Sequence, residues 1–230
     1  MKKPIAVGLE IACTFFLVLG QIWFVGKLLS PFTILPLGVI TASWIVRKET
    51  LRTLGLRVLD FRGYAVLWVF LAGGIALVAV VGVFLNRSAL QRGCILLGLP
   101  LRFVSYVVPA LFQQIILNGY FVNRIQSLTR RRSLTAAVAG LLFCVIHAPN
   151  PVLLVLTLFG GMVSAWLFVR RSNVYPLAVA HATLAAFAYC ALPQLWHHGF
   201  RVGMEYYLFV PKPGDCCVPE FLQGLIRWTP

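Results

Sequence analysis

Residues 152–169 have the sequence VLLVLTLFGGMVSAWLFV and decide the class of fold. This stretch of 18 residues contains no charged side chain, and Arg170 and Arg171 follow it directly. About 20 apolar residues in helical form cross the hydrocarbon core of a bilayer, so the stretch has the length of a membrane span. Arginines at the end of such a run are typical of a cytoplasmic helix end. The sequence therefore predicts a transmembrane helix here.

Six further apolar runs flank this one and are separated by short polar or basic breaks. The alternating pattern of a membrane β-barrel is absent, so the runs predict helices. We predict an all-α polytopic transmembrane helix bundle of about seven spans. The segments 48–62 and 221–228 are mixed in polarity and suit an interface better than a span, and residues 86–103 are predicted as a mixed loop. The other six predicted spans are residues 4–29, 31–46, 64–85, 104–125, 134–146 and 174–192.

The composition of the 230-residue chain supports a membrane protein. Hydrophobic residues make up 60% of the chain and charged residues 11%, with a mean hydropathy of +0.88. A soluble domain carries about 25% charged residues, and a disordered chain lacks this apolar content. The net charge of +14 and pI near 10.2 are typical of nucleic-acid binders. The cations lie at the ends of apolar runs, however, so we expect no nucleic-acid partner.

The charge placement also predicts an orientation and three regions. With the N-terminus inside and seven spans, 13 of the 20 lysines and arginines lie on the cytoplasmic side. The compact size favours a bacterial or archaeal cytoplasmic membrane. We divide the chain into two N-terminal spans (1–47), a core (48–192) and a C-terminal tail (193–230). The tail contains the adjacent cysteines Cys216 and Cys217, whose redox state the sequence leaves open.

Polar side chains inside the predicted spans identify a candidate site, because an unpaired polar group in hydrocarbon is costly. Gln113, Gln114 and Asn118 lie in the fourth span, and Gln114 and Asn118 share a face because they are one turn apart. His147 ends the fifth helix and His181 lies in the seventh. One interpretation is hydrogen bonding between helices. The other is a common polar cavity, in which an imidazole takes a proton near neutral pH.

Three further groups leave alternatives open. Glu10 is the one acid well inside an apolar run, and it either contributes a carboxylate to the site or pairs with an arginine or a glutamine. Cys144 lies three residues before His147, a spacing that fits a nucleophile and base pair but arises easily by chance. In another interpretation, the same cysteine would be the third ligand of a zinc ion bound by the two histidines. Zinc sites usually have three or four protein ligands, so we expect neither a metal nor a cofactor.

The motifs around these residues resemble those of the CAAX-processing and bacteriocin-processing endopeptidases, also called CPBP or Abi proteins. Members carry Glu-Glu-x-x-x-Arg-Gly, and this chain has QQIILNG at 113–119. The family's Phe-x-x-x-His, often followed by Pro-Asn, is matched by FCVIH at 143–147 and then Pro149 and Asn150. The family's His-x-x-x-Asn corresponds to HATLA at 181–185. The step TLGLR at 53–57 is also similar to the family, so the resemblance covers roughly residues 48–190.

The resemblance implies an intramembrane endopeptidase (a hydrolase) acting on a membrane-associated peptide or protein within the lipid bilayer. In the family the first glutamate activates water, whereas the histidines and asparagine hold the water and the oxyanion. This chain keeps the two histidines, replaces both glutamates by glutamine, and has Ala185 in place of the third-motif asparagine. The candidate catalytic residues by this resemblance are His147, His181, Gln113, Gln114 and Asn118.

The replaced motif residues leave several functions open. A histidine serves as the base while the glutamines position water, or Glu10 supplies the missing carboxylate. Alternatively, the scaffold is a catalytically inactive membrane binding or adaptor protein. A transporter is a third class, but the sequence shows no inverted repeat of the kind such proteins carry. Loss of the glutamates together with the motif arginine, now Asn118, removes a charge and its counter-charge together.

Overall fold

The computed structural model describes residues 2–25, 33–58, 60–85 and 98–210, and every regular element in these ranges is helical. A π-helical segment, Gln21–Val25, continues the first helix, and another, Ile115–Val122, joins the fourth helix to the fifth. Leu99–Leu128 is thus one continuous helical segment. The α-helices are α1 (Lys2–Gly20), α2 (Ile34–Val46), α3 (Ala65–Leu85), α4 (Leu99–Gln114), α5 (Asn123–Leu128), α6 (Arg132–Val145), α7 (Pro151–Arg171), α8 (Val174–Ala191), α9 (Gln194–His197) and α10 (Met204–Tyr207).

The predicted helical membrane architecture is confirmed. Five of the described helical segments are long and apolar enough to cross a bilayer: Pro4–Phe24, Ala65–Leu85, Leu99–Leu128, Pro151–Arg171 and Val174–Ala191. Two more apolar helices, α2 and α6, match the second and fifth predicted spans but have only 13 and 14 residues. The chain is an integral membrane protein.

The fourth helix begins earlier than the sequence indicated. It starts at Leu99, whereas residues 86–103 were predicted as a loop and the span from 104. Pro100 lies in the first turn, where the missing proline N–H removes no helical hydrogen bond. Pro100 is therefore part of the helix start and not of a loop. Of the predicted loop, only its last six residues fall in the described ranges.

Close approach of two helices forms the centre of the bundle. α6 packs along α7, and a Cβ placed on Gly161 would lie 3.0 Å from the Cα of Gly140. The small residues in the middle of α7 therefore allow the neighbouring helix to approach closely. α8 packs against both α3 and α4, and many of its small side chains are buried.

The segment between α2 and α3 is a loop that packs against the bundle. Leu54 is buried, and the backbone carbonyl of Gly55 accepts a 3.0 Å hydrogen bond from the N–H of Val174. Gly55 has a φ of +81°, and a Cβ there would lie 2.9 Å from Val174 and would also overlap the ring of Phe168. Glycine is required at this position by both backbone conformation and space.

The chain after α8 packs at the end of the bundle where α7 begins. Nδ2 of Asn150 donates to the backbone carbonyls of His197 at 2.6 Å and Arg201 at 3.0 Å. The N–H of Gly203 donates to the carbonyl of Ala148 at 2.9 Å. These bonds attach the segment to the turn before α7. The predicted interfacial segment at 221–228 and the pair Cys216 and Cys217 lie outside the described residues.

Candidate functional site

A buried triad of neutral polar side chains links the long central helix to α7. Nδ2 of Asn118 donates to Oε1 of Gln114 at 2.6 Å and to Oγ of Ser164 at 2.9 Å. The hydroxyl of Ser164 in turn donates to Oε1 of Gln114 at 2.6 Å. All three residues are buried. Gln114 and Asn118 therefore lie where the family motif has a glutamate and an arginine, and a neutral hydrogen-bonded pair replaces those two charges.

Gln114 connects this triad to His181. Since its oxygen accepts from Asn118 and Ser164, its Nε2 is the group that faces His181, with Nε2 and Nδ1 of the histidine 3.3 Å apart. An amide nitrogen donates, so Nδ1 of His181 accepts. A neutral imidazole that accepts at one nitrogen carries its proton on the other. Nε2 of His181 is accordingly a donor.

In His147 the donor and acceptor nitrogens of the imidazole are exchanged relative to His181. Its Nδ1 lies 2.6 Å from the backbone carbonyl oxygen of Phe143, which only accepts, so Nδ1 carries the proton. Nε2 of His147 is then the nitrogen with a free lone pair. The ring of Phe143 contacts both imidazoles edge to face, with centroids 4.7 Å from His147 and 5.8 Å from His181. The structure thus brings an acceptor and a donor imidazole to one aromatic ring.

A cavity of about 70 Å³ opens beside this arrangement, within the bundle. A water molecule needs about 10–15 Å³ of such space, so the cavity has room for several. Its polar lining comes from Gln114, Ser164, His181 and Thr157. Ala185, which occupies the position of the third-motif asparagine, also lines it. The rest of the lining is apolar apart from one glycine: Leu67, Phe70, Leu71, Phe143, Leu153, Leu156, Gly160, Val163, Leu177, Ala180, Leu184 and Phe200.

Two of the residues considered from sequence stand apart from this cluster. Gln113 is next to Gln114 in the chain, but its Oε1 is buried without a hydrogen-bond partner among the described residues and it does not line the cavity. Among the described residues no hydrogen bond joins Cys144 to His147, whose imidazole bonds through Nδ1 to the carbonyl of Phe143. The spacing of Cys144 and His147 therefore does not produce a nucleophile and base pair.

Glu10 belongs to a separate ionic network between the middle of α1, the end of α2 and the start of α5. Its carboxylate accepts from Nε of Arg124 at 2.9 Å, and it also pairs with Arg47 and Ser43. Arg124 is 2% exposed and forms a second ion pair with Glu49. Of the alternatives for Glu10, the structure shows pairing with arginine. Its carboxylate is therefore engaged away from the two histidines.

The described residues contain no group of three histidine, cysteine or acidic side chains close enough to hold a metal ion. Ser164 is a further residue of the cluster and is not among the candidate residues predicted from the sequence. It is one of two hydroxyl residues in the apolar run 152–169. A hydroxyl in such a run is a signal that could have identified it, since buried polar groups need partners.

The comparisons with known proteins agree with the motifs. Residues 95–187 match the model of the Rce1-like family, described as type II CAAX prenyl endopeptidase Rce1-like. The match runs from just before α4 into α8 and includes every residue of the cluster. It confirms the resemblance over this range, whereas the similarity predicted for residues 48–94 lies outside it. No curated protein and no solved structure matches the chain.

Proposed function

We propose that this chain, whose residues 95–187 match the Rce1-like family, is a CAAX-protease-like membrane protein that hydrolyses a peptide bond of a membrane-associated peptide or protein. His147 is the general base and His181 the oxyanion donor. Gln114, Asn118 and Ser164 position His181. The observation that carries this proposal is the opposite hydrogen-bond polarity of the two imidazoles.

The proposed reaction needs no carboxylate. Nε2 of His147 takes a proton from water, and the resulting hydroxide attacks the carbonyl carbon of the peptide bond. Nε2–H of His181 donates to the oxyanion that forms. The protonated His147 then gives its proton to the leaving amine. A general base typically contributes about 10²–10⁴ in rate, and one oxyanion donor about 10²–10³.

The apolar lining of the cavity supports a membrane-associated substrate. Most of its lining residues are hydrocarbon or aromatic, and it lies within the part of the bundle formed by the candidate spans. An apolar chain next to the peptide bond fits such a lining better than water does.

The test is cleavage of a library of membrane-anchored peptides by the purified protein in liposomes. We expect cleavage by the natural chain and a loss of about 100-fold or more for His147→Ala and His181→Ala. Cys144→Ala is the matched control, since this residue is one turn from His147 but not bonded to it. It should keep the natural rate. Cleavage that survives both histidine substitutions in a folded protein contradicts the proposal.

A second pair of variants distinguishes the roles of Gln113 and Gln114. In Gln114→Glu the carboxylate still accepts from Asn118 and Ser164, and its second oxygen accepts from Nδ1–H of a protonated His181, whose Nε2–H still donates to the oxyanion. We expect cleavage to increase. Gln113→Glu introduces a carboxylate where the present side-chain oxygen is buried without a partner. We expect it to lower stability without increasing cleavage, and equal gains in both variants would contradict the arrangement described above.

One observation favours a non-catalytic binding protein as the second candidate. No acid lines the described cavity, and both Glu10 and Glu49 are held by arginines. On this alternative the cavity binds a membrane peptide without hydrolysing it. Retention of a peptide with no cleavage, even in Gln114→Glu, would favour binding over hydrolysis.

A further inference from the structure

Two adjoining depressions lie at the end of the bundle where α7 ends, away from the candidate site. They measure about 770 and 480 Å³ and share Arg170 and Arg171. The loop before α3 contributes Arg52 and Arg57 to the larger one, and the start of α6 contributes Arg132 to the smaller. We call the two together the arginine groove.

The groove has a strong excess of positive charge. Five arginines line it, and Asp60 is the one acid among the described lining residues. None of the five arginines forms an ion pair within the described part of the chain. The carboxylate of Asp60 accepts from the backbone N–H of Arg62 at 2.8 Å. No acid among the described residues therefore pairs with these guanidinium groups.

Two of the guanidinium groups are held in position by their surroundings. That of Arg170 lies over the ring of Trp166, 3.5 Å from its centroid. That of Arg171 lies against the backbone of Gly63 and 5.9 Å from the ring of Tyr64. Gly63 has a φ of +74°, and a Cβ there would overlap the Arg171 guanidinium. Because these side chains are supported, less conformational entropy is lost when they bind an anion.

The groove lies at the depth where apolar helices end. α3 begins at Ala65 and α7 ends at Arg171, so the lining spans the boundary between the apolar segments and the polar loops. Its lining also includes exposed apolar side chains, with Val58 86% and Val66 53% exposed. A ligand that combines an anionic group with hydrocarbon matches both features.

We propose that the arginine groove binds the phosphate headgroup of an anionic phospholipid from the adjacent leaflet. Arginine recognises phosphate through paired N–H donors in a planar fork, and basic pockets between membrane helices bind such headgroups. The exposed valines contact the start of the acyl chains. This site does not rest on the proposed hydrolysis, since it shares no residue with the cavity lined by His181 and Gln114.

The experiment measures the thermal stability of the purified protein in detergent with added phosphatidylglycerol, phosphatidylcholine or inorganic phosphate. We expect phosphatidylglycerol to raise the melting temperature in a saturable way, and the other two to have little effect. In Arg170→Gln/Arg171→Gln the half-saturating concentration of phosphatidylglycerol should rise at least tenfold. The matched control is Arg130→Gln/Arg131→Gln, which removes two exposed neighbouring arginines that do not line the groove.

Three outcomes would overturn the proposal. An equal rise of the half-saturating concentration in the groove and control variants would mean that net charge alone attracts the lipid. An equal response to inorganic phosphate would assign the site to a free anion. No response of the natural protein to phosphatidylglycerol would exclude the site. If the groove variant does not fold, Arg52→Gln/Arg57→Gln tests the same site through two exposed loop residues.

Discussion

Gln114 is the residue on which the geometry of the candidate site depends. Its oxygen accepts from Asn118 and Ser164, so its nitrogen faces His181. A glutamate at this position would place a negative charge there, and the family motif provides an arginine one turn later to balance it. Here both partners are neutral amides, so the buried connection persists without the cost of placing two ions in hydrocarbon.

At the residue scale, the hydroxyl of Ser164 should contribute measurably to stability. Ser164→Ala removes one donor from Gln114 and one acceptor from Asn118, and both are buried. We expect the free energy of unfolding to fall by about 1–2 kcal/mol. The measurement is denaturant unfolding in mixed micelles. Ser105→Ala is the control, because this exposed hydroxyl bonds only to the carbonyl of Arg102, and an equal loss there would contradict the role of Ser164.

At the element scale, the contact between α6 and α7 limits the size of residue 140. A Cβ on Gly140 would lie 2.8 Å from the carbonyl oxygen of Leu158 and 2.9 Å from the backbone nitrogen of Met162. Both are backbone atoms of a helix, so neither yields as a flexible side chain does. The position of the cluster depends on this contact, since α6 precedes His147 and α7 carries Ser164.

Gly140→Ala should therefore force the two helices apart. We expect a loss of about 1–3 kcal/mol in the free energy of unfolding, which is typical of overpacking. Gly73→Ala is the matched control, because a Cβ at Gly73 in α3 meets nothing within 4 Å. Thermal unfolding of both variants in the same detergent makes the comparison. Equal stability of the two would show that the helices separate without cost.

Another feature of the elements is the π-helical winding of Ile115–Val122, which directly follows Gln114 and contains Asn118. Such winding is rare and is found often at functional sites. Six of its residues are buried, so the irregular part of this helix lies inside the bundle.

At the scale of the whole molecule, the segment after α8 contains a buried histidine whose protonation couples stability to pH. His197 is fully buried between the rings of Tyr189 and Phe200. Burial lowers the pKa of His197 from 6.5 to about 4. The unfolded chain therefore binds a proton below pH 6.5 that the folded protein resists until about pH 4. The stability present above pH 6.5 is lost as pH falls through this range.

We expect the free energy of unfolding to fall by about 2 kcal/mol between pH 7 and pH 5 from this group. His197→Phe keeps an aromatic ring between Tyr189 and Phe200 but does not titrate. The free energy of unfolding, measured between pH 7 and pH 5, should fall less in the variant than in the natural protein. The same loss in both proteins would mean that His197 is not responsible.

The orientation of the whole molecule follows from its charges and remains a prediction. In a variant lacking its six cysteines, Arg131→Cys and Leu195→Cys place single thiols at exposed positions near opposite ends of α6 and α8. With the N-terminus inside, we expect a membrane-impermeant maleimide to label only Leu195→Cys in intact cells. Labelling of Arg131→Cys instead would show that the N-terminus lies outside. Both thiols should react after permeabilisation.

The sequence by itself determined the class of fold and most of the helix positions. Apolar runs of span length can bury their backbone groups in a bilayer only as helices, so the pattern leaves few alternatives. Because burying polar groups in hydrocarbon is costly, the sequence also identified four candidate site residues: Gln114, Asn118, His147 and His181. Boundaries were less certain, as the start of α4 at Leu99 shows, because a proline is compatible with both a loop and a first turn.

Only the tertiary structure decided which polar groups meet. Gln113 and Gln114 are equivalent in the sequence, but one side chain joins Ser164 and His181 while the oxygen of the other has no partner among the described residues. Glu10 is engaged by arginines, one of which lies 114 residues away in the chain. Such pairings depend on how the helices rotate and pack against one another. That rotation is set by close contacts such as Gly140 with Gly161, which periodicity along one helix does not specify.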